Sequence, residues 1–168
     1  MKKLLALAVV ILGFTAASFA QSVNATATAS ATIVAPLAIT KTVDLNFGIA
    51  AVDGTPGTVV LTPAGVRSRT GGVTLSASNP GTVTAASFTV TGTTGYTYAI
   101  TLPSTPTTVT SGANNMTVST FTSTPTPTGT LGAAGQIVTV GATLNVGASQ
   151  VAGTYLSATP FTVTVAYN

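Results

Sequence analysis

After residue 20 the chain carries five charged side chains, Lys41, Asp44, Asp53, Arg67 and Arg69, and it has no histidine and no cysteine. Acid–base catalysis needs a proton acceptor beside the reacting group, and nucleophilic catalysis needs a hydroxyl or thiol beside a base. Asp44 and Asp53 are the only acids, nine residues apart, and Lys41 is the remaining candidate base. That inventory supports no catalytic constellation, so the chain is read as a non-enzyme. Without His or Cys it also lacks the usual ligands for zinc or copper, and no cofactor or metal is expected. Lys41 and Asp44 read as solvated charges at a strand end, and Asp53 before Gly54 as a turn residue. Arg67 and Arg69 read as solubilising charge on the loop before Gly71. Two arginines do not neutralise a run of phosphates, so nucleic acid is not an expected partner. Tyr96, Tyr98, Tyr155 and Tyr167 fall in the apolar phase of their segments, which favours packing over an exposed sugar platform. Gly92 and Gly95 flank a turn with no helix after it, which is not a phosphate loop.

The elements that would position these residues are strands. Apolar residues recur at every second position, the period of a half-buried strand. The set is Val73, Leu75 and Ala77 in residues 72–78, and Tyr96, Tyr98, Ile100 and Leu102 in residues 96–102. In residues 138–146 it is Val138, Val140, Ala142, Leu144 and Val146. Threonine fills most alternate positions, a β-branched residue suited to an outward face. Turn residues punctuate the runs at Asp53-Gly54, Pro63-Ala64-Gly65, Asn79-Pro80-Gly81 and Gly112-Ala113-Asn114, and the Thr/Ser/Pro-rich residues 120–129 read as a loop. Short strands and turns at this spacing predict one all-β antiparallel sandwich. Between Val83 and Val90 the apolar phase slips by one, which predicts a bulge or a strand that changes sheet.

Residues 1–20 read as an export signal: Lys2 and Lys3, then an apolar run over residues 4–14, then Ser18-Phe19-Ala20 as a cleavage site. The run is shorter than the roughly 20 residues a bilayer span needs, so no transmembrane segment is expected in the mature chain. Without the two lysines the net charge of +3 falls to +1. So little charge leaves hydroxyls to hydrate the surface and removes the repulsion that keeps monomers apart.

Residues 21–34 form a separate unit. Val23, Ala25, Ala27, Ala29, Ala31 and Ile33 alternate with polar residues until Pro36, which cannot donate a ladder hydrogen bond. At the other end Phe161, Val163, Val165 and Tyr167 form a last strand that either lies mid-sheet or presents an edge. The two ends together predict β-augmentation: one copy's first strand, residues 23–33, completes the sheet of the next. Such a contact is heterologous and propagates as a filament.

The segments Ala31-Thr32-Ile33-Val34-Ala35-Pro36-Leu37, Asp44-Leu45-Asn46-Phe47-Gly48, Gly57-Thr58-Val59-Val60-Leu61, Phe88-Thr89-Val90-Thr91-Gly92 and Gly153-Thr154-Tyr155, followed by residues 161–167, resemble the bacterial domain-of-unknown-function family 4402. That family in turn resembles spore-coat-U-like and chaperone-usher pilin subunits. The resemblance implies an Ig-like, pilin-like sandwich over residues 35–168 with an N-terminal strand extension. It also implies a periplasmic chaperone, an outer-membrane usher and donor-strand exchange within a homopolymer or with related subunits. The function expected is that of a secreted structural surface protein, a fimbrial subunit exported through the periplasm. The alternative is a self-contained secreted sandwich acting as an adhesion or binding module.

Overall fold

The structure, a computed structural model, describes residues 21–168. The expected export signal lies outside the described residues. Two units are distinguished, Met1–Thr32 and Ile33–Asn168. Residues 21–32 carry no strand, and their side chains are exposed. A strand is defined by its ladder, so alternation alone does not make one without a partner.

The second unit holds twelve strands and, among the described residues, no helix. They are β1 (Ala38–Val43), β2 (Asn46–Phe47), β3 (Ala51–Leu61), β4 (Arg67–Thr74), β5 (Val83–Thr84), β6 (Ala86–Thr91), β7 (Thr97–Thr101), β8 (Thr107–Ser111), β9 (Asn114–Thr124), β10 (Thr128–Thr130), β11 (Gln136–Val146) and β12 (Thr164–Tyr167). All pairings are antiparallel. The fold is an all-β sandwich, as the period-two pattern predicts.

A seven-stranded sheet is organised around β11. One edge of β11 pairs β6 over residues 136–140 and then β3 over residues 142–146. The other edge pairs β9, which continues to β8. Every inward residue predicted on β11, Val138, Val140, Ala142, Leu144 and Val146, is buried. The opposing sheet is small, in the order β10-β7-β12. The phase slip after Val83 is a change of sheet: β5 pairs β2, whereas β6 pairs β1 and β11.

Two expectations are corrected. Arg67 and Arg69 lie on β4, paired with Leu61 and Val59, and not on a loop. Residues 120–124 belong to β9 and residues 128–130 to β10, so the loop shrinks to residues 125–127. Threonine's branched side chain favours extended backbone, so a Thr-rich stretch is strand wherever a neighbour supplies hydrogen bonds.

The outer face of the large sheet is neutral and hydroxyl-rich. Thr70, Thr58, Asn145, Thr117 and Thr108 stand opposite one another across β4, β3, β11, β9 and β8. Thr58 and Thr70 hydroxyls hydrogen-bond at 2.7 Å, and the Asn145 amide donates to the Ser119 hydroxyl at 2.9 Å.

Candidate functional site: an open apolar groove

The inner face of the seven-stranded sheet carries two core clusters. The first, built on Val90, Tyr98, Leu131, Val138, Val140 and Val163, is covered by β10, β7 and β12. The second, built on Val59, Val73, Val118, Ala142, Leu144 and Val146, is also buried, but it packs against Leu45 and Phe47 and not against the small sheet. Over it lies a groove of about 1250 Å3 whose floor includes Val109, Met116, Val118, Leu144 and Val146. The three short strands of the small sheet do not extend over all eleven residues of β11, and the groove lies beyond them.

One wall is residues 43–52. Leu45 and Phe47 point to the second cluster, and the backbone between them and Ile49 is tightly held. Arg67 donates from Nη1 to the Phe47 carbonyl at 2.7 Å and to the Ile49 carbonyl at 3.0 Å. The Gly48 N–H donates to Asn46 Oδ1 at 2.8 Å. Gly48 has φ +71°, and a Cβ there would overlap the Pro80 carbonyl oxygen, so the turn requires glycine. The guanidinium of Arg67 therefore ties the wall to β4, a role that its reading as loop charge missed. Its position in the inward phase, opposite Leu61, is the signal that marks it.

Residues 150–157 with Pro160 and Phe161 form another part of the lining. It is pinned to β8 by two backbone bonds between Thr110 and Leu156, at 2.9 and 3.0 Å. The Gln150 amide donates to the Tyr155 hydroxyl at 2.8 Å, and that hydroxyl donates to the Val151 carbonyl at 2.7 Å. Val151 and Leu156 stand 54% and 68% exposed on the rim. Tyr155 is thus a wall residue and not part of a tyrosine platform, whereas Tyr98 is fully buried and donates to Gln136 Oε1 at 2.9 Å. Burial raises the Tyr98 phenol above its ordinary pKa.

The strand edges of the sandwich are not alike. The β4 edge carries Arg67 and Arg69, Pro125 and Pro127 precede β10, and the β8 edge is bridged by Leu156, all devices that blunt further pairing. Among the described residues, β1 pairs only β6 and β12 pairs only β7. The short links 92–96 and 131–135 place β6 over β7 and β11 over β10. The free edges of β1 and β12 therefore lie on the same side of the sandwich. Lys41 on β1 is neutralised by Asp44 at 2.6 Å in an exposed pair.

The last strand is shorter than expected: Phe161 and Val163 precede β12, and Phe161 lines the groove with its ring near those of Phe121 and Phe88. Val163, Val165 and Tyr167 belong to the first core cluster. What β12 leaves open is its backbone edge. In the first unit, Val23 is 86% exposed and Ala25, Ala27, Ala29 and Ala31 are exposed as well; Ile33, at the start of the second unit, is 91% exposed. Asp53 sits in an excursion of β3, where Thr55 donates to it from hydroxyl and backbone, and these bonds hold its carboxyl below the ordinary value. Among the described residues no cluster of three metal-ligating side chains forms, and no helix is long and apolar enough to cross a membrane.

The family model described as Domain of unknown function (DUF4402) matches residues 37–167. The chain belongs to that family. Comparison with curated proteins and with solved structures gives no match. Within this member, two of the segments that carried the resemblance, residues 45–48 and residues 153–155, both line the groove.

Proposed function

We propose that this chain is the structural subunit of a bacterial surface fibre, exported through the periplasm and assembled by strand exchange. The observation that carries the reading is the apolar groove over the second cluster, in a sandwich where β1 and β12 each keep a free edge. An extended segment fits such a place because its backbone completes the ladder while every second side chain meets the floor. Residues 23–33 have that pattern, and the occupant is this segment of a second copy.

The energetics assign the two contributions. A buried alanine methyl is worth about 0.8 kcal/mol and a fully buried Val or Ile about 2 kcal/mol, so Val23 and Ile33 outweigh any two of the alanines between them. Ladder hydrogen bonds, each about 1 kcal/mol net, supply the rest. An apolar groove open to water also calls for a cover before assembly, the task of a periplasmic chaperone, with an outer-membrane usher as the site of exchange. Nothing in the charge inventory supports catalysis, and the reading includes no enzymatic role.

Negative-stain microscopy and size-exclusion chromatography of the chain from residue 21, with and without residues 21–34, test the proposal. Fibres from the longer form and monomers from the shorter are expected. Monomers of equal stability from both would instead leave a self-contained adhesion module.

A further inference from the structure

A strand that precedes its own acceptor by a few residues has a competitor for the neighbour's groove, namely its own. The junction between them carries a specific arrangement. The Ala35 N–H donates to Thr93 Oγ1 at 2.8 Å, the Thr93 N–H donates to the Tyr167 phenol oxygen at 2.8 Å, and that phenol donates to the Ala35 carbonyl at 3.0 Å. The three residues come from the start of the second unit, the link between β6 and β7, and β12. They close a ring of hydrogen bonds that holds both backbone groups of Ala35. A Cβ on Gly92 would overlap the Tyr167 phenol oxygen, so the phenol's seat depends on that glycine. The ring of Tyr167 is also fixed edge-on against Tyr96, with centroids 5.8 Å apart.

The sequence at the same place stiffens the chain. Folding residues 23–33 back along the free edge of β1 requires a hairpin through Val34, Ala35, Pro36 and Leu37. Tight hairpin turns need positive φ at their central residues, which Gly, Asn or Asp supply and this segment lacks. Pro36 has φ fixed near −65°, and the residue before a proline is driven to extended backbone. Leu37 is committed to the first core cluster, so a wider loop has no slack on that side.

We infer that the Tyr167–Thr93–Ala35 ring, together with Pro36, is a device against self-completion: it keeps the first strand of each copy from closing its own groove and so reserves that strand for a second copy. The inference rests on the strand-exchange reading. Tyr167, Thr93 and Pro36 are positioning residues in it, and none belongs to the groove.

The test compares the chain from residue 21 with its Pro36→Gly/Tyr167→Phe variant, which supplies a turn residue and removes the phenol while keeping the ring. Polymer yield at fixed concentration is expected to fall roughly tenfold, in keeping with two lost hydrogen bonds. The monomers that accumulate are expected to melt above a body lacking residues 21–34, because they are closed on themselves. If the variant misfolds, Pro36→Gly/Thr93→Val gives the same readout by removing the hydroxyl that receives the Ala35 N–H. A wild type that polymerises alongside variants that polymerise equally well overturns the inference and leaves strand exchange standing. A wild type that never polymerises overturns strand exchange and the inference with it.

Discussion

The two halves of the sandwich share one central strand and differ in what lies above it. Over residues 136–140 of β11 the small sheet seals Val138 and Val140 against Tyr98 and Val163. Over residues 142–146 the same alternation continues, but Leu144 and Val146 face a groove. The alternation of side chains is the same, and the reach of the opposing sheet distinguishes a sealed core from a grooved one. Hydrophobic periodicity therefore reports which face is inward and not whether that face is covered.

Substitutions that treat the halves alike should separate them. The largest effect is expected for Tyr98→Ala, which empties the centre of the sealed half and removes the bond to Gln136; denaturant unfolding should show a loss of about 4 kcal/mol. A second, sharper contrast is Val109→Asp, on the floor of the open half. There water already reaches the site, so the cost to the monomer should be about 1 kcal/mol, whereas fibres on a microscope grid should vanish. Equal stability losses from Tyr98→Ala and Val109→Asp would break the distinction between the halves. Arg67→Ala should fall next, losing the two charge-assisted bonds to the Phe47 and Ile49 carbonyls for about 2 kcal/mol of stability. It should also loosen the wall, seen as faster amide hydrogen exchange at Gly48 and Ile49.

The smallest effects concern pH. The Tyr98 phenol is raised in the fold, so its contribution is fully present below the ordinary tyrosine value of 10.0 and is lost as pH rises through the folded value. Asp53 is lowered, so its contribution is present above 3.8 and is lost as pH falls through the folded value. With no histidine between them, melting temperature should stay flat from about pH 5 to pH 9. Tyr98→Phe should remove the alkaline arm of that profile.

Much of this architecture is legible in the sequence. The alternation of β11, the turn at Pro63-Ala64-Gly65 and the slip at Ala85 each follow from local chemistry, and each has its counterpart in the structure. β4 was not legible in full, because Gly71 and Gly72 interrupt its alternation and an edge strand shows water most of its backbone. The end of β9 was hidden by threonines that serve strand and loop alike. The walls of the groove were not located from the sequence, and of the terminal residues singled out only Phe161 lines it. Arg67 reaches carbonyls some twenty residues away, and Thr93, Tyr167 and Ala35 meet only after the sheets have stacked.

The neutral row of Thr70, Thr58, Asn145, Thr117 and Thr108 has an environmental consequence. Ions screen charges, and this face presents none. A surface wetted by hydroxyls keeps the same hydration in fresh water and in brine, and it offers mobile counterions nothing to hold. That face of the sandwich is therefore expected to respond little to salt concentration, unlike the exposed Lys41–Asp44 pair.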